Sequence, residues 1–324
     1  MRIVVIEMSR EDFKYIYGPV PSRRLGRSLG LDLVPFKTCT CDCIYCQLGK
    51  TTDRTIERRD YVDAADVLAQ LKEKLARGVS CDYISLAGCG EPTLYAPIGE
   101  LIVRIKQMTD IPVAVITNGT LLHLPELRRD LLPADLVIPS LDAGDAPLFE
   151  YVNRPHPDIS FEQMVEGLIE FGEMRKNRLW LEVLLVSGVT GLGAEVKKIA
   201  SWAEKIKPDK IQINTVSRPS HEDFACAVEG GQLKKLTGLF NGEVEILADT
   251  VSLTKQADHV PNATDADILN LLARRPCALE GIVQGLNLHP HDAAKRLDNF
   301  LKTGHVAAEK SGRTVFYRIS RENP

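Results

Sequence analysis

The chain has 324 residues, and its 40 lysines and arginines nearly balance 44 aspartates and glutamates, giving a net charge of −4. This balance gives the whole chain no general attraction to nucleic acid or to anionic membranes. The N-terminal apolar run has no small-residue cleavage site after it, and no apolar stretch reaches membrane-spanning length. We therefore expect a cytoplasmic protein without a membrane partner, large enough for one large domain and a small second one.

The first part of the chain leads into a predicted strand. Residues 13–27 contain prolines, glycines and three arginines without a regular period, which predicts an ordered lead-in loop. Residues 28–35 alternate as a buried strand does, and the cysteine-rich sequence CTCDCIYC follows at 39–46.

Further along, apolar strand patterns alternate with amphipathic helix patterns. Asp63 is placed to cap the first helix and Gly78 to end it. Such alternation predicts parallel strands joined by right-handed crossovers. The predicted strands are 28–35, 83–87, 113–116, 136–140, 179–186 and 210–214, and later helices are expected around 98–105, 147–153, 160–175 and 194–206.

The loops after these strands share a character. Each of these loops combines glycine or proline with polar residues; their sequences are GCGEP, TNG, LDAGD, SGVTG and TVSRP. In a parallel barrel the loops after the strands gather at one mouth, so we expect the cysteine loop to lie there with them.

The alternation stops after about residue 248. We predict a barrel domain at 1–248, a polar linker at 249–263, and a small α+β winged-helix domain at 264–324. In this last domain a helix begins at Thr264, two more follow, and two strands flank a turn to form the wing.

The winged helix could serve three purposes. Its basic residues are diluted by acidic ones, so DNA binding, recruitment of RNA or another macromolecule, and protein docking or dimerisation all stay open. The basic residues are Lys295, Arg296, Lys310 and Arg313, and the acidic ones are Asp292, Asp298 and Glu309.

The cysteines point to a metal centre. Thiolates are soft ligands for zinc or iron–sulfur clusters, and a structural zinc site wants four ligands, usually as two close pairs. The cysteines outside the 39–46 run are scattered singly. Three cysteines on one short loop can hold three irons of a [4Fe–4S] cube and leave the fourth iron open. Zinc, or a cluster that also uses Cys41, is the alternative.

The sequence CTCDCIYC contains the C-x3-C-x2-C pattern of radical SAM enzymes, including the aromatic residue before its last cysteine, and GCGEP resembles their glycine-rich Glu motif. The resemblance covers about residues 15–250. The stretches YGPVPSRRLGRSLGLDLVPFKTC, SLDAGD and NRPH look like a subgroup often placed with tRNA wyosine-base synthases.

The resemblance implies a partial (β/α)6 TIM-like barrel whose cofactors are a [4Fe–4S] cluster and S-adenosylmethionine (SAM). It further implies a reductant partner such as flavodoxin or ferredoxin. Cys89 occupies a position where relatives often have glycine. The implied cluster ligands are Cys39, Cys43 and Cys46, and the implied SAM contacts are Tyr45, Gly88, Gly90, Glu91, Asn118, Ser140 and Asp142.

Several side chains could reach a substrate. Arg23, Arg24 and Arg27 could hold a phosphate or carboxylate, because a guanidinium matches oxyanion geometry; they could equally pair with barrel acids or lie on the surface. Arg154 with His156, and residues 221–226, could serve the site or have structural roles.

The sequence thus predicts a radical SAM enzyme that cleaves SAM reductively and abstracts hydrogen from a tRNA-like or other anionic substrate. Two alternatives stay open. One is a DNA-binding regulator that senses SAM or the state of its iron–sulfur cluster, and the other is an activase that installs a glycyl radical on a partner protein.

Overall fold

The computed structural model describes residues 13–247, 263–312 and 314–320. Its main body is an eight-stranded sheet in which, from β2 onward, helices lie between successive strands. The strands are β1 Ile16–Ser22, β2 Gly26–Leu31, β3 Thr38–Cys39, β4 Asp53–Arg54, β5 Tyr83–Leu86, β6 Val113–Thr117, β7 Leu136–Pro139, β8 Arg178–Leu185, β9 Lys210–Thr215, β10 Val244–Ile246, β11 Cys277–Ala278, β12 Val306–Ser311 and β13 Thr314–Ile319. The helices are α1 Ala64–Ala76, α2 Ile98–Met108, α3 Pro125–Leu131, α4 Ala146–Val152, α5 Phe161–Met174, α6 Gly193–Ile206, α7 Gly230–Thr237, α8 Asp265–Arg274, α9 Leu279–Leu286 and α10 Pro290–Lys302.

The large sheet confirms the predicted α/β class. Its order is β1-β2-β5-β6-β7-β8-β9-β10, and from β2 onward each neighbouring pair runs parallel. All six predicted strands are present within a residue or a few of their expected bounds. Because parallel strands end at the same edge of a sheet, the loops that follow them meet there.

The prediction of a lead-in loop at 13–27 is wrong for much of that segment. Residues 16–22 form β1, which pairs antiparallel with β2 and shifts register between Tyr17 and Val20. An edge strand needs only one row of hydrogen bonds, so it tolerates the prolines that suggested a loop.

Besides β1, three further elements of the main sheet and its helices were not predicted. Helices α3 and α7 have seven and eight residues, and β10 has three. Each is too short to show a clear period in the sequence. By contrast, the predicted cap of α1 is confirmed, since the Asp63 side chain accepts from Ala65 N at 2.7 Å and Gly78 follows the helix with φ +78°.

The last part of the described chain consists of α8, α9 and α10 packed on a three-stranded sheet, β11-β13-β12. Thr264 caps α8 through Asp267 N, as predicted. Val20 of β1 joins the apolar cluster of these helices. The elements match the order expected of a winged helix, but that interpretation and the domain boundaries stay predictions. The linker predicted at 249–263 lies outside the described residues except for Ala263.

No helix among the described residues is long and apolar enough to cross a membrane.

Candidate active site

The cysteine loop lies at the carboxyl edge of the parallel sheet. Its backbone is tied to the GCGEP loop after β5, because Lys37 N donates to Cys89 O at 2.7 Å and Glu91 N donates to Thr38 O at 3.0 Å. On its other side Ile44 N donates to the last residue of α4 at 2.9 Å. The loop is therefore held by the segments that follow β5 and β7.

Each of the three predicted ligand thiols lies beside an N–H donor. All three thiols are half-buried. The pairs are Asn118 Nδ2 with Cys39 Sγ at 3.6 Å, Asn153 Nδ2 with Cys43 Sγ at 3.6 Å, and Lys37 Nζ with Cys46 Sγ at 3.1 Å. Hydrogen bonds from such donors orient sulfur ligands around a metal centre.

Cys41 differs from these three. It is buried, and its thiol donates a hydrogen bond to Cys43, which lowers the pKa of Cys43 and raises that of Cys41. Burial raises the pKa of Cys39, and a coordinated cation would reverse that effect by deprotonating the thiol outright. This hydrogen bond thus shifts the pKa values of the two thiols in opposite directions and favours ionisation of Cys43 over Cys41.

Three thiols on one loop, each beside an N–H donor, are a donor set that fits an iron–sulfur cube. In the described part of the chain, no three histidine, cysteine or acidic side chains converge as ligands of one metal ion. A cube takes at most one cysteine thiolate at each of its irons. Beside Cys43, the buried Asn153 Oδ1 has no hydrogen-bond partner among the described residues. An unpartnered acceptor at this place fits an amino group such as that of SAM.

Glu91 joins the loops after β5 and β6. Its carboxylate accepts from Thr93 N at 3.1 Å, Thr93 Oγ1 at 2.6 Å, Thr117 Oγ1 at 2.6 Å and Asn118 N at 2.8 Å. Burial raises the pKa of this carboxyl, and the four donors oppose the shift. With both oxygens already engaged, Glu91 positions Asn118 beside Cys39.

The two glycines of GCGEP allow close packing. A Cβ at Gly90 would lie 2.1 Å from Thr38 O, and one at Gly88, where φ is +144°, would lie 1.8 Å from Asp32 Oδ1. Glycine is required at both positions because neighbouring chain fills the space of a side chain.

A second network surrounds Asp142. Its carboxylate accepts from the hydroxyl of Tyr45, from Asn153 Nδ2 at 3.2 Å and from Leu184 N at 2.8 Å. Burial raises the pKa of Asp142 to about 6, despite the hydrogen bond from Tyr45. Ser140 is half-buried, and its N–H donates to Thr117 O at 3.1 Å. The structure thus brings Tyr45, Asp142 and Cys43 together through Asn153, and their contact with SAM stays a prediction.

The three predicted substrate arginines have different positions. Arg24 forms an ion pair with Glu182 of β8, and Arg23 Nη1 donates to Leu247 O at 3.4 Å. Arg27 is exposed in β2, near the strand end opposite the cysteine loop, where its N–H donates to Asp82. The structure does not bring Arg27 to the cysteine loop.

Residues 221–226 pack against the cysteine loop. Glu222 N donates to Ile44 O at 3.1 Å, and the Glu222 carboxylate pairs with Arg154 at 2.5 Å. His156 N donates to Thr40 O at 2.7 Å. The segment NRPH and this later loop thus support the cysteine loop from outside.

Sequence reasoning missed Lys37, Asn153 and Arg218. Arg218 follows β9, and its Nη1 donates to Gln47 Oε1 at 2.9 Å. Asn153 lies in the NRPH stretch that the family resemblance had singled out. The contacts of Lys37 and Arg218 depend on how distant loops fold back, and no local pattern signals them.

The comparisons agree with this geometry. A family model described as "Radical SAM superfamily" matches residues 33–203. A UPF0026 protein of Helicobacter pylori is 32% identical over 96% of this chain and 99% of that protein. A Brachyspira hyodysenteriae protein named "GTPase Obg" is 39% identical over 95% of this chain, which spans only 45% of that protein's length.

Among solved structures, a radical SAM methyltransferase from Sphaerobacter thermophilus aligns with a TM-score of 0.52 at 15% identity, over 68% of this chain and 66% of that one. At this level of identity the likeness shows the fold alone, and that fold agrees with the parallel sheet described above.

Proposed function

The chain belongs to the radical SAM superfamily of enzymes and to the UPF0026 family, and on that premise we propose that Cys39, Cys43 and Cys46 hold a [4Fe–4S] cluster that binds SAM. When bound, the cluster supplies the electron that cleaves SAM to methionine and a 5′-deoxyadenosyl radical, which takes a hydrogen atom from the substrate. The substrate is a tRNA-like or other anionic molecule. A reductant such as flavodoxin or ferredoxin supplies the electron.

One observation carries this proposal. Each of these three thiols lies beside an N–H donor, whereas the fourth cysteine of the run is buried and donates a hydrogen bond to Cys43. Three thiolates for four irons leave one iron open, and an open iron is where SAM would bind.

The protein's own residues would position SAM around this iron. Asn118 and Glu91 lie on the Cys39 side of the loop, and Asp142, Tyr45 and Asn153 on the Cys43 side. The sheet edge and the 221–226 segment would keep water from the radical.

The regulator is a weaker candidate, and no separate ferredoxin-type cysteine cluster in the sequence favours the activase. The relatives and the structure reported above carry names of enzymes or of the UPF0026 family rather than of regulators. The likeness to wyosine-base synthases, and an RNA or protein partner at the winged helix, stay part of the proposal.

The proposal is tested by anaerobic reconstitution with iron and sulfide, reduction with dithionite and addition of SAM. We expect release of 5′-deoxyadenosine and methionine in equal amounts. Protein that holds a complete [4Fe–4S] cluster yet releases neither product would refute the proposal.

A further inference from the structure

Arg218 is a charged group at the candidate site that the proposed SAM chemistry does not use. It is half-buried after β9, and it donates to Gln47, the residue that directly follows Cys46. Its guanidinium therefore lies against the cysteine loop, on the side of β9 and β10.

Three other arginines approach Arg218 from different parts of the chain. Arg23 and Arg24 come from the turn between β1 and β2, and Arg275 follows the last residue of α8. Burial, followed by the charges of Arg275, Arg23 and Arg24, lowers the pKa of Arg218 to about 9, while Cys277 acts in the opposite direction. Hydrogen bonds place two of them near the end of β9, which Arg218 follows: Arg24 and Asn214 share the carboxylate of Glu182, and Arg23 donates to Leu247 O, whose own N–H pairs with Ile213 O.

Such a gathering of cations is unfavourable unless anions offset it. Glu182 is hydrogen-bonded to Arg24, and it also accepts from Asn214 Nδ2 at 2.9 Å. The Nε donor of Arg24 is nevertheless buried without a hydrogen-bond partner among the described residues. A bound oxyanion would satisfy such donors, since guanidinium forks match carboxylate and phosphate groups.

We propose that Arg218, Arg275, Arg23 and Arg24 form an anion-binding site beside the cysteine loop, and that this site takes a phosphate or carboxylate group of the substrate. The inference rests on the proposed function only in treating the anion as part of the enzyme's substrate. Arg27, which is exposed and lies beside Cys81 and Asp82, is not a member. Since Arg275 follows α8, the C-terminal helices contribute directly to substrate binding.

The test is isothermal titration calorimetry at low ionic strength and pH 7, with inorganic phosphate and succinate as separate probes. We expect saturable binding of at least one probe, weakened about tenfold by Arg218→Gln and by Arg275→Gln, because each removes a charge-assisted hydrogen bond. Arg27→Gln is the matched control and should bind as the wild type does. Arg275→Gln also covers the case in which Arg218→Gln fails to fold.

Binding of phosphate alone would assign a phosphate group to the substrate, and binding of succinate alone a carboxylate. The inference is overturned if neither probe saturates, or if both variants bind as tightly as the wild type. Calorimetry reports anion binding whether or not SAM is cleaved. Failure of this inference and failure of the proposed SAM chemistry are therefore separate results.

Discussion

Arg274 of α8 forms a hydrogen-bonded ion pair with Asp32, and the other oxygen of the same carboxylate accepts the backbone N–H of Cys89 at 2.9 Å. One carboxylate thus joins the C-terminal helices to the glycine-rich loop of the candidate site. The ring of Tyr17 lies under the same guanidinium, 4.7 Å from its central carbon. The C-terminal helices therefore support the site as well as packing against β1.

Removal of Arg274 tests this connection. Both side chains of the pair are only 11% exposed, so Arg274→Met leaves a nearly buried carboxylate without its cation. We expect a loss of about 3 kcal/mol in the free energy of unfolding, measured by urea denaturation. The double variant Asp32→Asn with Arg274→Met should recover much of this loss. Equal stability of Arg274→Met and the wild type would show that the pair is unimportant.

Gly90→Ala should push the cysteine loop away from the GCGEP loop. Its new Cβ would lie 2.1 Å from Thr38 O and 2.7 Å from Val34 Cγ2, so the backbone has to shift. We expect a loss of about 2 kcal/mol in unfolding free energy and a lower iron content after reconstitution. Gly281→Ala is the control, because it has open space in α9 and alanine favours a helix. Normal iron content and stability in Gly90→Ala would argue against close packing here.

Asp142 should make stability depend on pH. Unfolded, its carboxyl ionises near its ordinary pKa of 3.8, whereas the folded protein holds the proton to about pH 6. The folded state therefore binds more protons between these values, and this group's contribution to stability falls as pH rises from about 4 to about 6. The fall amounts to about 3 kcal/mol.

Asp142→Asn removes this titration. Urea denaturation at several pH values should show that the wild type loses stability relative to the variant between pH 4 and 6. A constant difference between the two proteins across that range would mean that Asp142 has an ordinary pKa in the folded state.

Lys37→Met should lower the reduction potential of the cluster. The Lys37 ammonium lies 3.1 Å from Cys46 Sγ, and a cation there favours the reduced form, which carries one more negative charge. For a one-electron couple, the potential falls by roughly 60 mV for each ~1.4 kcal/mol of stabilisation of the reduced cluster that is lost with Lys37. A redox titration followed by electron paramagnetic resonance measures it. Lys50→Met, at an exposed position of the same loop, should leave the potential unchanged, and an equal shift in both variants would rule out a specific role for Lys37.

The sequence predicted the parts of the fold that have a strong local period. The six parallel strands and the caps at Asp63 and Thr264 are present because each depends on neighbouring residues in the chain. The strand at 16–22 was missed because its prolines suggest a loop. Proline is tolerated there because the strand lies at the edge of the sheet, and only the folded structure shows that position. Local sequence patterns therefore predicted the parallel strands and the helix caps. They did not predict the pairing of β1 with β2 at the edge of the sheet.

At the candidate site, too, the sequence predicted the local pattern and missed the contacts between distant residues. The spacing of Cys39, Cys43 and Cys46 is visible in the sequence, but the donors beside them come from residues as far away as Asn153. Arg218 was missed for the same reason, since its hydrogen-bond partner Gln47 lies 171 positions away in the chain. Long-range placement decides which polar groups meet at the site.

The central claim is that three cysteines bind the cluster and leave one iron for SAM. Electron paramagnetic resonance of reduced, reconstituted Cys41→Ala protein, recorded with and without SAM, tests it most directly, with Cys43→Ala as the comparison. We predict that Cys41→Ala holds a [4Fe–4S] cluster whose spectrum changes when SAM is added, and that Cys43→Ala holds no such cube. Loss of the cluster in Cys41→Ala, or a spectrum that SAM leaves unchanged, would contradict the claim.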